Sequence, residues 1–196
     1  MTDNLDSDAE LMLRFTHGDE NCFVELVKLH QQRVFAFAYR FLGNAADAED
    51  AAQEVFMKVY NAADKYSVKA KFTTWLFTIT RNTCLNFLNK KSKTRMVVSL
   101  DDKPGAEEEQ GGLQVEDKKD LPPIEVILNK ERARSVRKAL DSLPENQRTA
   151  VLLCRYDELS YEAIAEVLGC SAKAVKSLLN RAKTSLKEKL AEFIKV

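Results

Sequence analysis

Apolar residues recur at steps of three and four along most of this chain, the spacing that places side chains on one face of an α-helix. The longest stripe ends before Gly43 and consists of Phe23, Val27, His30, Val34, Phe37 and Phe41. Residues suited to N-caps stand before several stripes: Ser7 in a capping box with Glu10, Asp19, Asn44 and Ser160. The pattern predicts helices over residues 7–15, 19–43, 44–64, 72–91, 124–143, 144–156, 160–169 and 172–193, and no strands.

The helical pattern fades between Ser92 and Pro123, where glycine, proline and acidic residues are concentrated. Few apolar side chains are available there to bury in a core, and such a composition is typical of a flexible segment. The predicted fold is therefore all-α, with two small helical domains joined by a flexible acidic linker. The predicted bounds are 1–91 for the first domain, 92–123 for the linker and 124–196 for the second domain.

The second half contains the pattern of a helix-turn-helix motif. Two closely crossing helices and a tight turn need small or apolar residues at seven positions, which are Ile164, Ala165, Leu168, Gly169, Cys170, Val175 and Leu178. Gly169 is expected to form the turn, where a positive φ is required. Cys170, Val175 and Leu178 are expected on the inner face of the second helix.

The outward positions of that second helix are then Ser171, Lys173, Lys176, Ser177, Asn180 and Arg181. These residue types suit the major groove of DNA, because lysine and arginine reach phosphates or guanine edges while serine and asparagine contact base edges or backbone. A basic helical face is often only a solvated surface. Here it coincides with the recognition face, which favours binding to duplex DNA.

Polar residues also collect on one side of the third predicted helix. At about 100° per residue, its apolar stripe centres on Val55 and Val59. The opposite face carries Asp47, Asp50, Gln53, Glu54 and Met57. An acidic face is commonly just solvated, but a methionine among carboxylates also suits a contact with another protein, so both interpretations stay open on these residues alone.

The fourth predicted helix differs in charge, since residues 72–100 contain no aspartate or glutamate. Phe72, Leu76 and Ile79 are predicted to be core residues. Basic, aromatic and amide side chains accompany them, namely Lys69, Lys71, Trp75, Arg81, Asn82 and Asn86. This mixture suits single-stranded DNA, which is held by attraction to its backbone and by stacking or amide contacts to unpaired bases.

Composition narrows the function further. The 30 basic and 30 acidic residues balance, no apolar run reaches the roughly 18 residues of a membrane helix, and the acidic N-terminus is unlike a signal peptide. Metal-ligand and disulfide spacing is absent among Cys22, Cys84, Cys154, Cys170, His17 and His30. With no Gly-rich phosphate loop and no nucleophile beside a base, the sequence predicts a cytoplasmic, non-enzymatic protein without metal or cofactor.

Three segments together resemble an extracytoplasmic-function (ECF) sigma factor of bacterial RNA polymerase. Residues 47–60, DAEDAAQEVFMKVY, resemble region 2.2, and residues 72–88, FTTWLFTITRNTCLNFL, are similar to regions 2.3 and 2.4. Residues 143–190 are similar to region 4. The resemblance covers nearly the whole chain and implies that the protein directs core RNA polymerase to specific promoters, with a role in a stress or envelope response.

The resemblance also implies partners. The acidic face of the third helix would dock on the clamp helices of the polymerase largest subunit, and region 4 would contact the polymerase flap. Promoter DNA would be bound both as duplex and as single strand. Members of the family are commonly restrained by an anti-sigma factor, often membrane-anchored, so such a protein is a further expected partner.

Individual residues receive roles from the same resemblance. Asn82 and the loop from Tyr66 to Lys71 correspond to the pocket for a flipped base of the minus-ten element. The positions that read the minus-thirty-five element correspond to Lys176, Ser177, Asn180 and Arg181. Leu178 departs from the pattern, because many relatives carry a basic residue there. One phosphate contact is therefore expected to be missing or to be replaced by Lys183.

A stand-alone helix-turn-helix regulator with an N-terminal dimerisation or sensor domain is the alternative function. It accounts for the second half of the chain but leaves the basic, acid-free residues 72–100 unexplained. It also predicts operator binding in the absence of polymerase, which distinguishes it from a sigma factor.

Overall fold

Eight α-helices and one short 3-10 helix make up the regular structure of the described residues, 6–68, 70–98 and 123–191 of a computed structural model. They form two compact units that divide the chain near residue 110. The first unit contains α1 (Ser7–Thr16), α2 (Glu20–Leu42), α3 (Ala45–Asn61), the 3-10 helix (Ala63–Lys65) and α4 (Phe72–Val98). The second contains α5 (Pro123–Asp141), α6 (Glu145–Arg155), α7 (Tyr161–Leu168) and α8 (Ala172–Lys189). The predicted all-α fold with two helical domains is thus confirmed.

Helix α2 is central to the first unit, since it packs against α1, α3 and α4. Its buried side chains are Cys22, Leu26, His30, Val34, Phe37, Ala38 and Phe41. At its start the buried stripe is shifted by one residue from the prediction, because Cys22 and Leu26 are buried while Phe23 and Val27 are half-buried. The neighbouring helices contribute Val55, Val59, Phe72, Leu76 and Phe77 to the core. Burial of these side chains leaves the opposite faces of α3 and α4 open to solvent.

A buried polar pair joins α1 to α2. The Nε2 atom of His30 lies 2.9 Å from Oδ2 of Asp8, and His30 is 4% exposed. Burial lowers the pKa of His30, and the nearby Asp8 carboxylate opposes this shift without reversing it. A neutral imidazole that donates its Nε2–H to Asp8 is therefore the favoured form.

In the second unit, α6 and α7 pack against α8, and α6 also packs against α7. The core consists of aliphatic side chains, among them Leu143, Leu152, Leu153, Ile164 and Val175. Arg148 of α6 is also buried, and its guanidinium donates to a carboxylate oxygen of Asp141 at 3.1 Å. Because Asp141 is the last residue of α5, this ion pair joins the end of α5 to α6.

Several helix boundaries differ from the prediction. Helix α4 continues seven residues past Lys91 to Val98, because no glycine or proline occurs before Pro104. Ser7 lies inside α1 and does not cap it; Asp6 is the N-cap residue. Pro144 precedes α6 and is not in its first turn, and α8 ends at Lys189. Of the predicted linker, residues 99–122 lie outside the described residues.

Other local predictions are confirmed. The Asn44 side chain accepts a hydrogen bond from the Asp47 amide at the start of α3, and Ser160 caps α7 through the Ala163 amide. Gly43 and Gly169 both have positive φ, at 85° and 64°. No helix in the described ranges is long and apolar enough to cross a membrane.

Candidate functional site

Helix α8 presents a continuous polar surface. Seven predicted DNA-binding side chains on or next to it are exposed: Ser171, Lys173, Lys176, Ser177, Asn180, Arg181 and Lys183. Val175 and Ala182 are fully buried on the other side of the helix. The first turn contains no acidic residue. The helix is therefore held by its apolar face while basic and hydrogen-bonding groups face solvent.

The turn before α8 fixes where that surface begins. Gly169 has φ of 64°, so α7 ends and the chain reverses within a few residues. Ser171 then caps α8, because its hydroxyl oxygen accepts a hydrogen bond from the Ala174 amide at 3.2 Å. Cap formation uses an acceptor site on the Ser171 oxygen and leaves its hydroxyl hydrogen available for donation.

The prediction for Cys170 is wrong. This residue was expected on the inner face of the second helix, but it lies in the turn before the cap and is exposed. The prediction fails because α8 begins at Ala172 after the cap residue Ser171, so Cys170 stands before the helix and is not on its inner face. Leu178, expected to be inward, is half-buried. It therefore belongs to the edge of the helix interface and offers no charge to a phosphate.

Helix α4 presents a second, mixed surface. Of the residues predicted to bind single-stranded DNA, Lys71, Asn82 and Asn86 are exposed, and Trp75 and Arg81 are half-buried. A guanidinium nitrogen of Arg81 donates to the carboxamide oxygen of Asn82 at 3.2 Å. This hydrogen bond orients the Asn82 carboxamide so that its amino group remains available to another acceptor. Lys69 lies outside the described residues.

Tyr66 differs from the other predicted members of this surface because it is buried, with 9% of its surface exposed. Its ring centroid lies 5.3 Å from that of Trp75 and 6.0 Å from that of Phe72. The Tyr66 hydroxyl donates to the Ala70 carbonyl at 3.4 Å. Tyr66 therefore anchors the loop before α4 to the core and packs against the half-buried Trp75.

The acidic face of α3 is only partly free. Asp50, Gln53 and Met57 are exposed, and 61% of the surface of Met57 is accessible. Asp47 instead pairs with Lys91 of α4 at 2.9 Å, and Glu54 pairs with Lys58 at 2.6 Å. These two carboxylates are partly neutralised within the protein, so Asp50 is the most available charge on this face.

Sequence reasoning missed the lysines that accompany this face. The Glu54–Lys58 spacing of four residues is a recognisable helical ion pair and could have been found. Lys58 also donates to the Thr83 hydroxyl of α4 at 3.1 Å. The Lys91–Asp47 pair joins residues 44 positions apart and has no local sequence signal. The Lys58–Thr83 and Lys91–Asp47 contacts both connect α3 with α4.

A metal site finds no support in the described ranges, where no group of three histidine, cysteine or acidic side chains is arranged to hold an ion. The arrangement provides three polar surfaces on rigid helices: acidic with an exposed methionine on α3, amide-rich and basic on α4, and basic on α8. Such surfaces bind partners through complementary charge and hydrogen bonding.

Comparison with known proteins connects these surfaces to a family. The Sigma-70 region 2 family matches residues 26–94, which include α3 and most of α4, and the Sigma-70 region 4 family matches residues 133–186, which include most of α8. The ECF RNA polymerase sigma-E factor of Escherichia coli K12 is 31% identical over 189 residues, covering 96% of this chain and 97% of that protein. The ECF sigma factor SigW of Bacillus subtilis is 29% identical and covers 90% and 92% of the two chains.

A solved structure agrees with these sequence matches. The sigma factor RpoE of Bartonella quintana, crystallised with the anti-sigma factor NepR, is 27% identical with a TM-score of 0.66. The match covers 89% of this chain and 98% of that one. The order of the two matched regions and the length over which the relatives align identify the family of this chain. The chain belongs to the ECF sigma factors, the non-enzymatic initiation factors that bind core RNA polymerase and direct it to promoter DNA.

Proposed function

We propose that the three polar surfaces divide the work of this sigma factor. The α8 surface holds the duplex minus-thirty-five element, the α4 surface captures unpaired bases of the minus-ten element, and the α3 surface docks on the polymerase clamp helices. The observation that carries this proposal is the exposure of the seven side chains on or next to α8, a helix whose other side is buried. Burial fixes the helix, and exposure leaves the polar groups for the major groove.

The α4 surface acts on DNA that has lost its pairing. Trp75 offers an aromatic face and Asn82 an oriented carboxamide, which are groups that contact unstacked bases. Lys71 and Lys90 are exposed near the two ends of this stretch and attract the backbone. Contacts made only with unpaired bases offset part of the cost of unstacking them, so promoter opening is favoured.

The α3 surface is proposed to bind polymerase mainly through Asp50, Gln53 and Met57. An exposed methionine can pack against an apolar patch on a partner, while Asp50 supplies a charge for a basic group. Asp47 and Glu54 contribute less, because each must exchange an internal ion pair for an external one. Docking also makes promoter contacts by the two domains intramolecular, which raises the selectivity of two individually weak sites.

The setting of this activity is also proposed. The protein works in the bacterial cytoplasm, where core polymerase and promoters are found, and responds to an envelope or other stress as the sigma-E and SigW relatives suggest. An anti-sigma factor restrains it, by analogy with the Bartonella quintana sigma factor solved together with NepR. A stand-alone regulator is disfavoured, because family matches cover both units of the chain.

Footprinting on one promoter tests the division of labour on DNA. With core polymerase, Arg181→Ala should weaken the upstream footprint and still allow melting near the start site when the upstream element is bypassed. Asn82→Ala should keep the upstream footprint and lose permanganate reactivity of unpaired thymines. Lys187→Ala, an exposed change elsewhere on α8, is the matched control and should leave both signals intact. Normal melting by Asn82→Ala, or a normal upstream footprint with Arg181→Ala, contradicts the role of that residue.

A pull-down with core polymerase tests the docking surface. Reversing the charge of Asp50 and Glu54 together should weaken binding while helicity stays unchanged. Asp50→Lys alone should account for most of the loss, because within the described residues Asp47 and Glu54 pair with lysines whereas Asp50 forms no ion pair that docking would have to break. Asp64→Lys makes an equal charge change at an exposed position outside α3 and should bind normally. Wild-type binding by the double variant would reject this surface.

A further inference from the structure

Three asparagines form a row along the exposed side of α4. Asn82, Asn86 and Asn89 are all exposed and follow one another at steps of four and three residues. At about 100° per residue they fall within roughly 60° of one another around the helix axis. The row lies on the face that contains Trp75 and Thr78, so it continues the proposed minus-ten surface towards the C-terminal end of the helix.

The unexpected length of α4 gives Asn89 a fixed position. With the helix predicted to end at Lys91, Asn89 would lie in a fraying last turn. The helix instead continues to Val98, which adds about two and a half turns beyond Asn89. Lys91 also pairs with Asp47 of α3 and holds this part of α4 against the domain. Asn89 therefore lies inside the helix, next to a contact with α3, and not in a fraying end.

The three asparagines are better suited to hydrogen bonding with nucleic acid than to stabilising the helix. Asparagine is a poor helix former because its side chain competes for backbone hydrogen bonds, so three in one helix do not stabilise it. Each carboxamide carries a donor and an acceptor, the pair that matches N6 and N7 of adenine. No acidic residue occurs in α4, and the exposed Lys90 adds a charge that attracts phosphate.

We propose that Asn89 is a further specificity-determining residue, which favours adenine at a promoter position about three nucleotides away from the base contacted by Asn82. The separation of seven positions between Asn82 and Asn89 spans about 10.5 Å along the helix, which is about three times the 3.4 Å rise of one nucleotide along a DNA strand. This inference rests on the proposed role of the α4 surface.

The test uses full-length protein with core polymerase and a promoter library randomised across the minus-ten region. Asn89→Ala should still direct transcription, and its preference for adenine should fall about tenfold at one position. That position should lie about three nucleotides away from the one relaxed by Asn82→Ala. Asn89→Gln, which keeps the donor and acceptor, should retain adenine preference, whereas Asn89→Asp, which loses the donor, should not. Asn21→Ala, an exposed change on α2, should match the wild type.

Each alternative outcome has a distinct meaning. Unchanged preferences in Asn89→Ala beside a relaxed position in Asn82→Ala overturn the role of Asn89 and leave the proposed function standing. An equal loss on all sequences also overturns it, since that result marks a phosphate contact. If neither variant changes any minus-ten position, the proposed role of the whole α4 surface fails. Unfolding does not confuse the result, because alanine favours the helix more than asparagine does.

Discussion

The two helices proposed to contact promoter DNA, α4 and α8, differ in how deeply their candidate side chains are buried. On α8 every candidate side chain is exposed, and the residues that hold the helix, Val175 and Ala182, are separate from them. On α4 and the loop before it, the candidates range from exposed Asn82 through half-buried Trp75 to buried Tyr66. The α8 surface consists of exposed side chains that do not hold the helix in place, whereas the α4 surface includes side chains that are part of the core.

This difference fits the two kinds of DNA. Duplex DNA presents its groove edges and phosphates from outside, so flexible charged side chains on a fixed helix can reach them. Unpaired bases expose flat apolar faces, which are best met by aromatic groups held by a hydrophobic core. A substitution on α8 should therefore affect binding alone, whereas one on α4 can affect binding and stability together.

The largest effect is expected at Tyr66. Tyr66→Ala should lower the unfolding free energy of the first unit by about 3–4 kcal/mol, because a buried ring packed on Phe72 and Trp75 is removed. Tyr66→Phe loses only the hydroxyl contact to Ala70 and should cost about 1 kcal/mol or less. Urea unfolding followed by fluorescence of Trp75, the single tryptophan, measures both. A stable Tyr66→Ala protein that fails to melt promoters would show that the ring acts on DNA and not on the fold.

A smaller effect is expected at Gly169, on the scaffold of α8. Gly169→Ala should cost about 1–2 kcal/mol, since its φ of 64° strains a residue with a β-carbon. No atom lies within 4 Å of the added carbon, so the cost comes from the backbone alone. Gly169→Asn should cost less, because asparagine tolerates this conformation. Hydrogen exchange of α7 and α8 amides gives the comparison, and equal losses for the two variants would argue against a backbone origin.

The pH dependence of stability should differ between the two units. His30 has its pKa lowered by burial, so the unfolded state takes up the proton first as the pH falls. The stability that neutral His30 contributes to the first unit is fully present above about pH 6.5, the usual histidine pKa, and is lost as the pH falls from there towards the lowered value. Nδ1 of His30 is buried with no hydrogen-bond partner in the described part of the chain, so protonation there gains no acceptor.

Unfolding at pH 7.5 and pH 5.5 measures this loss through Trp75 fluorescence. His30→Gln should flatten the step over that range. The second unit contains neither of the two histidines, and exchange of its amides should lack the step. A step of the same size in both units would mean that His30 is not its source.

The smallest change in stability is expected on α8. Lys176→Ala should alter the unfolding free energy by no more than about 0.5 kcal/mol, because an exposed side chain is removed. If Lys176 contacts a phosphate, the salt dependence of promoter binding should fall by about one unit. Fluorescence anisotropy with duplex minus-thirty-five DNA and polymerase, titrated at several salt concentrations, provides the slope. A loss of stability above 1 kcal/mol would break the contrast between α8 and α4.

Sequence patterns predicted the helices well where strong local signals act. Gly43, Asn44 and Ser160 define helix ends through backbone conformation or capping, and each behaves as expected. The predicted end of α4 at Lys91 is wrong, because the apolar stripe fades there although no glycine or proline stops the helix before Val98. A helix can continue without an apolar face when nothing in its sequence stops it.

The candidate surfaces were predicted less evenly. The exposed positions of α8 follow from helix periodicity, because its core and polar faces are separate. Tyr66 was not identified as a core residue, since a tyrosine in a loop gives no periodic signal, and its burial depends on rings from α4. Lys91 and Asp47 meet only through the packing of α3 against α4. Long-range contacts of this kind lie beyond what local patterns can indicate.

The positions of the four thiols allow opening of the native protein to be followed by thiol labelling. Cys170 is exposed at the turn before α8 and Cys154 is half-buried in the second unit, whereas Cys22 and Cys84 are buried in the first unit. A thiol-reactive dye should label Cys170 in the folded protein and reach the buried pair only when the first unit opens. One alkylation time course would thus place a fluorophore beside the helix proposed to read DNA and record how fast the first unit opens, without any engineered residue.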